Sequence, residues 1–272
     1  MKLVRRAQDM SRNEMDLANC AAIVMAGGLG TRMKSKGSKS MQCLCGRPII
    51  AWILDSCEEL ALTDVVVVTN PRAPELPEYL RAQDRELRIH MVEQKTPLGT
   101  AHAVRCALPT LEELLCTHVL ILSGDVPNLR AKTLHQFIHN SGDGVGIITS
   151  ILEDAKAYGR ILRDKQGRVQ AIVEAKDCSA EELSIREINS GIYFAPKTFL
   201  SRIIPRIGND NRAAEYYLTD IVSLGVAEGV SFYPFVLEDA REGAGVNTLE
   251  ELAAAQKFRV EALDAQCGSC RG

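Results

Sequence analysis

Apolar residues along this chain alternate between two rhythms. Short unbroken runs such as Ala21-Ala22-Ile23-Val24-Met25 suit strands buried on both faces of a parallel sheet. Runs of this kind predict strands over residues 21–25, 64–69, 88–93 and 118–122, with helical periodicity between them over 49–60, 100–108 and 131–140. Pro71, Pro74 and Pro77 predict a loop after the second strand before any helix begins. Strands alternating with helices define an α/β class: a Rossmann-like, mostly parallel mixed sheet flanked by helices.

The pattern then changes. Strands are predicted over 144–153, 160–163 and 168–174, with Asp164-Lys165-Gln166-Gly167 as a hairpin turn between the last two. A strand over 187–194, helices over 198–204 and 215–227, a strand over 231–237 and a helix from Thr248 complete the chain. No repeat, low-complexity tract or linker interrupts it. One domain over 20–258 is expected, with a polar extension at 1–19 and a tail at 259–272.

Overall charge narrows the function classes. A formal net charge of -3 argues against a general nucleic-acid binder. No apolar run reaches the roughly 18 residues of a membrane span, and residues 1–19 lack the apolar core of a signal peptide. Nine scattered cysteines suit free thiols in a reducing compartment, so a cytoplasmic protein without a membrane partner is expected.

Against this acidic background the cations gather at one place. Arg32, Lys34, Lys36, Lys39 and Arg47 follow a glycine turn, Ala26-Gly27-Gly28-Leu29-Gly30-Thr31, with no acid among them. The rest of the chain holds 27 bases against 35 acids. Glycines let backbone N–H groups approach an anion closely, so the segment predicts a polyphosphate site. It is not a dinucleotide fingerprint, since Met33 stands where a third glycine is needed, nor a Walker loop, since Gly37-Ser38-Lys39-Ser40 lacks the Gly-Lys-Ser/Thr ending.

Further motifs extend the pattern in order. They are Gly46-Arg47-Pro48, Gln94 with Leu98-Gly99-Thr100-Ala101-His102-Ala103, Leu122-Ser123-Gly124-Asp125-Val126-Pro127 and Tyr158-Gly159-Arg160-Ile161. Val173-Glu174-Ala175-Lys176-Asp177, Glu187-Ile188-Asn189-Ser190-Gly191-Ile192, Glu215-Tyr216-Tyr217-Leu218-Thr219-Asp220-Ile221 and Gly245-Val246-Asn247 follow. Together these resemble the sugar-phosphate nucleotidylyltransferases, and most closely the uridylyltransferase domain of the bifunctional enzymes that make UDP-N-acetylglucosamine. The resemblance runs from about residue 21 to about residue 257.

That resemblance implies a nucleotide-diphospho-sugar transferase fold and attack by a sugar 1-phosphate on the α-phosphorus of UTP. The nucleophile is already anionic, because a phosphate monoester has a second pKa of about 6. Arg32 and Lys39 are the implied catalytic cations, and Ala26, Gly27, Gly28, Gly30, Thr31, Gln94, Gly99 and Thr100 the implied nucleotide site. Gly159, Glu174, Asn189 and Thr219 are implied for the sugar, and Asp125 with Asn247 for Mg²⁺, which takes oxygen ligands. From the residues alone, Asp125 also fits a turn aspartate, Asn247 a helix cap and Gln94 a strand end.

Departures from the family pattern are Ser38 in place of a proline, Leu29 in place of a lysine, and Thr248-Leu249 in place of an Asn/Asp-Arg pair. The hexapeptide-repeat domain that carries acetyl transfer and trimerisation in the bifunctional enzymes has no counterpart in these 272 residues, so uridylyl transfer alone is expected and no oligomer is required. A dTTP- or CTP-dependent enzyme for another sugar or alcohol phosphate, and a nucleotide-binding regulatory subunit, are the alternatives. His135 and His139 lie at metal-like spacing, but Gln136 stands where a zinc protease has glutamate, so they are read as surface histidines. Cys267 and Cys270 form a lone CxxC without a second pair.

Overall fold

The computed structural model describes residues 17–30 and 37–269. Thr31, Arg32, Lys34, Lys36 and Cys270 lie outside the described residues. Strands are β1 Cys20–Met25, β2 Cys43–Leu44, β3 Arg47–Pro48, β4 Asp64–Thr69, β5 Arg88–Glu93, β6 His118–Ser123, β7 Val145–Ile151, β8 Arg160–Arg163, β9 Val169–Val173, β10 Glu187–Pro196 and β11 Phe232–Val236. Helices are α1 Ile49–Glu59, α2 Glu75–Arg81, α3 Thr100–Glu113, α4 Ala131–Ser141, α5 Ala180–Leu183, α6 Lys197–Ile203, α7 Asp220–Ala227 and α8 Leu249–Ser269.

The main sheet has the order β11-β7-β10-β6-β1-β4-β5, with β8 and β9 extending from β10. β1 pairs in parallel with both β4 and β6, while β10 runs antiparallel between β6 and β7. The mixed, mostly parallel sheet flanked by helices is the expected class. Alternation along β1 splits its side chains between two cores. Cys20, Ala22 and Val24 pack with Ile49, Ile50, Leu76 and Phe137 on one face. Ala21 and Ile23 pack with Ala101, Val104, Phe199 and Ile221 on the other. Strands buried on both faces read as continuous apolar runs, which is why they were legible.

Three local readings are corrected and one element goes unread. Helix α2 begins at Glu75 despite the prolines: Pro74 is its N-cap and Pro77 sits in its first turn, where N–H groups have no intrahelical partner to lose. Helix α3 runs through Pro109 to Glu113, because its buried face continues to Leu111. The helix predicted from 215 starts only at Asp220. Ahead of it, Tyr216 donates its N–H to Leu98 O at 2.8 Å and accepts from Ala101 N at 2.9 Å, so this backbone is committed to a clasp. The β2–β3 hairpin was not anticipated, since Cys45, at φ 49°, shares its turn with Gly46, at φ 79°, and a positive φ is uncommon outside glycine.

Strand β10 also changes register between Asn189 and Tyr193, where Gly191 has φ 75°. A bulge of this kind re-aims side chains toward a site. The carboxyl ends of β1, β5 and β6 deliver the glycine loop, Gln94 and Gly124-Asp125 to the same edge, where ligands of open α/β sheets bind.

Candidate active site

The glycine loop leaves β1 and returns through two backbone bonds, Gly30 N to Gly37 O and Lys39 N to Gly28 O, both 3.0 Å. Ser38 then caps a single 3-10 turn, Lys39–Met41, by accepting from Ser40 N. Its N–H meets the Glu75 carboxylate, and its hydroxyl donates to Ala26 O at 3.5 Å. Ser40 Oγ donates to Gly124 O at 2.7 Å, tying the lysine turn to the aspartate turn. Both serines are buried. Ser38 therefore supplies by capping the rigidity that a proline would supply by its ring.

So aimed, the Lys39 ammonium forms an ion pair with Asp125 Oδ2 and donates to Asn247 Oδ1 at 2.8 Å. Asp125 is held from its other oxygen by Ser123 Oγ at 2.6 Å. Its backbone carbonyl accepts from Val246 N at 2.9 Å, which brings the Asn247 segment across. Asn247 is not the helix cap. Thr248 Oγ1 accepts from Glu251 N at 3.1 Å while Glu251 Oε2 accepts from Thr248 N at 3.1 Å and from Asn247 N. With Thr248 capping α8, the Asn247 carbonyl is left to face Lys39.

Two clefts meet at this triad and share Met25, Thr100, Ser123 and Asp125. One, of about 820 Å³, is lined by Gly27, Gly28, Lys39, Gln94 and Gly99. Gln94 is buried, with its N–H on Thr69 O at 2.9 Å and its amide Nε2 on Gly99 O at 3.0 Å. Asn70 Nδ2 donates to Gly27 O at 3.0 Å and fixes the loop from behind. Ala26 and Gly30 support this loop rather than lining the cleft. The Thr100 hydroxyl accepts from Leu218 N at 2.9 Å, so it also binds the two sides of the pocket together.

The second cleft, of about 950 Å³, gathers Gly159, Glu174, Asn189 and Thr219 with Tyr158, Tyr193 and Gly245. Thr219 Oγ1 donates to Glu174 Oε1 at 3.3 Å. Asn189 Nδ2 donates to Tyr193 OH at 2.7 Å while its Oδ1 accepts from Gly191 N at 3.0 Å, and Gly159 O accepts from Asn189 N at 3.0 Å. Tyr158 OH accepts from Gly245 N at 3.1 Å, closing the wall behind Asn247. Burial pushes the Glu174 carboxyl above its ordinary range; the Thr219 hydrogen bond opposes this in part, and Asp177, Asp220 and Glu215 add to the rise.

A raised carboxyl makes the native state bind a proton that the unfolded chain releases at lower pH. The stability linked to that proton is fully present below the unfolded pKa of about 4.3 and is lost as pH rises through the native value. Glu174→Gln is therefore expected to raise the melting temperature at pH 7.5 by roughly 2–4 °C. The gain should shrink below pH 4, and an equal gain at both pH values in thermal denaturation would refute the linkage.

Every described residue assigned from sequence thus lines one of these clefts or belongs to the glycine loop. Sequence reasoning gives no role to Ser38, Ser40, Asn70, Ser123 or Tyr158, although Ser38 stands out as a departure from the family pattern and Ser123 and Tyr158 lie within its motifs. The signal available for the serines was their position beside a lysine in a loop otherwise stripped of acids. His135 and His139 are exposed on α4. No group of three or more His, Cys, Asp or Glu among the described residues could hold a metal ion.

A mixed sheet carrying a glycine loop at the end of β1 and a carboxylate turn at the end of β6 defines an α/β nucleotide-diphospho-sugar transferase domain. The model of the MobA-like NTP transferase domain matches residues 22–175, and the chain belongs to that family. It is similar to the bifunctional protein GlmU of Pelobacter propionicus, 41% identical over 245 residues, covering 89% of this chain and 52% of the relative. It is also similar to that of Trichlorobacter lovleyi, 41% identical over 253 residues, 92% and 54% covered, and of Psychrobacter cryohalolentis, 36% identical over 240 residues, 88% and 52% covered. The chain spans about half the length of these curated relatives.

Proposed function

We propose that this chain transfers UMP from UTP to N-acetylglucosamine 1-phosphate, giving UDP-N-acetylglucosamine and pyrophosphate. The observation that carries the reading is the Lys39 ammonium, set between the Asp125 carboxylate and the Asn247 amide oxygen where the two clefts meet. The nucleotide would occupy the glycine-loop cleft, with its base at Gln94 and Gly99. The sugar would lie in the second cleft, where Glu174, Asn189 and Thr219 offer donors and acceptors to its hydroxyl and acetamido groups. The two reacting phosphates then meet at the triad.

In this reading a sugar 1-phosphate oxygen forms a bond to the α-phosphorus of UTP as the bond to the β-phosphate bridging oxygen breaks. Negative charge accumulates on the departing pyrophosphate. No general base is required, so the protein contributes positioning and charge neutralisation. Lys39 and the backbone of the glycine loop face the leaving group, with Arg32 assigned the same role by family resemblance.

The donor set also fits Mg²⁺. Asp125 and Asn247 turn a carboxylate and an amide oxygen toward one point, which already receives a cationic group. A Cβ on Gly245 would stand 3.4 Å from Asn247 Nδ2 and 3.7 Å from both Asp125 oxygens, so glycine keeps the approach open. When bound there, the ion supplies positive charge to phosphate oxygens.

No helix among the described residues is long and apolar enough to cross a membrane. Cys20, Cys43, Cys45, Cys57, Cys106, Cys116 and Cys178 are free, which supports a reducing, cytoplasmic setting. The decisive measurement is pyrophosphate release with Mg²⁺ over a matrix of nucleoside triphosphates and sugar 1-phosphates. Release confined to UTP with N-acetylglucosamine 1-phosphate is expected; another productive pair would move the substrate, and silence across the matrix would overturn transfer altogether.

A further inference from the structure

We propose that His102 sets the base preference of the nucleotide cleft by holding the Gln94 amide in one of its two orientations, so that the cleft accepts a pyrimidine with an N–H at position 3 and rejects cytosine. The inference rests on the reading above, in which the base lies against Gln94. It concerns a residue that touches Gln94 rather than the reacting atoms, so His102 is a positioning residue.

The amide of Gln94 can present either its oxygen or its NH₂ to the cleft. These faces suit different bases. Both N–H donors have acceptors inside the protein: Nε2 lies 3.0 Å from Gly99 O and 3.1 Å from His102 Nδ1. The amide oxygen has no hydrogen-bond partner among the described residues. It stands beside Gly27, where an added Cβ would come within 3.0 Å of Oε1. A flipped amide would set its oxygen against Gly99 O, acceptor facing acceptor, and leave the donors without these partners. The orientation is therefore fixed by the chemistry of the neighbours.

His102 can accept at Nδ1 only when that nitrogen is unprotonated. Burial depresses the imidazole pKa, and the Arg105 guanidinium depresses it further, so the neutral ring prevails at and above neutral pH. Cys106 Sγ lies 3.9 Å from the same nitrogen and the Tyr216 ring is centred 6.2 Å away; neither supplies a negative charge that would hold a proton there near neutrality. The proton of the neutral ring then belongs on Nε2, which leaves Nδ1 as the acceptor for Gln94.

Two fixed donors leave one free acceptor. The N3–H of uracil or thymine can donate to Gln94 Oε1, whereas N3 of cytosine is itself an acceptor and would face it unpaired. This contact treats UTP and dTTP alike. Gly99 O belongs to the backbone and survives any side-chain change, so His102 is the half of the clamp that substitution can remove.

The test is calorimetric binding of UTP and CTP, without acceptor sugar, to the wild type, His102→Leu and His102→Asn. The leucine variant is expected to narrow the UTP-over-CTP affinity ratio by about tenfold, as when one partner of a buried polar contact is lost. The asparagine variant, whose amide oxygen can replace Nδ1, should restore most of the ratio. His102→Met serves as a second apolar replacement if the leucine variant does not fold. A ratio unchanged while both affinities fall together would show a merely structural role and overturn the proposal. A wild type that binds UTP selectively but transfers to no sugar phosphate would sink the transfer reading and leave the clamp standing; one that binds neither nucleotide would overturn both.

Discussion

Asp125→Ala is expected to lower turnover in the pyrophosphate-release assay by about 10²–10³-fold, the scale of losing one preorganised electrostatic contact to a reacting centre. The fold should survive, because Asp125 is partly exposed and its turn is held by backbone bonds: Gly124 N to Met25 O at 3.0 Å and Val246 N to Asp125 O at 2.9 Å. The lost carboxylate has two roles in the proposed site. It orients Lys39, and it offers the charged half of an oxygen pair suited to Mg²⁺. Asp125→Asn separates them, since an amide retains an acceptor for Lys39 but removes the charge. Turnover restored by asparagine would assign the effect to lysine placement. Turnover lost equally in both variants, with a KM for sugar phosphate close to wild type, would assign it to charge. Wild-type turnover in the alanine variant would remove Asp125 from the chemistry.

Much of this candidate site is legible in the amino-acid sequence, for a physical reason. A glycine loop after a buried strand and a carboxylate turn after another must both emerge at the strand ends, and a parallel sheet puts those ends on one edge. What sequence could not supply were the connections among them. The Lys39 ammonium is held by Asp125 and Asn247, residues 86 and 208 positions away. From the residues alone Asn247 fits a helix cap as well as a metal ligand. Only the three-dimensional capping box, with Glu251 turned back onto Thr248, shows which residue is free.

The misread elements have two causes. A proline counts against a helix only in its interior, and at Pro77, in the first turn of α2, a missing N–H is not missed. Elsewhere local propensity is overruled by a contact made in another part of the chain. Residues 215–218 have helical neighbours, but their backbone is paired with the loop that carries Gly99. His102 looked like one letter of a motif until its ring was placed against Gln94. None of these contacts has a periodicity that a linear reading could detect.

Gly99→Ala is expected to be the most destabilising single-methyl change at the site, costing about 3–5 kcal/mol and lowering the melting temperature by roughly 10 °C. Gly99 has φ 109° and ψ 176°, a conformation left almost wholly to glycine. The added Cβ would also meet Tyr216 O at 2.5 Å and Tyr216 N at 2.8 Å. Those atoms are backbone, and they are the same atoms that bond Leu98 O and Ala101 N, so relief of the clash requires opening the clasp. Opening it displaces Gly99 O from Gln94 Nε2 and disturbs Leu218 beside Thr219, which links the nucleotide cleft to the sugar cleft. Gly167→Ala separates steric from conformational strain. Gly167 has φ 80° in the β8–β9 turn with nothing within 4 Å of an added Cβ, so its replacement should cost only about 1–2 kcal/mol. Chemical denaturation of both variants, read beside UTP affinity, decides the matter. A Gly99→Ala loss no larger than that of Gly167→Ala, or one that leaves UTP binding intact, would show that the clasp does not join stability to nucleotide recognition.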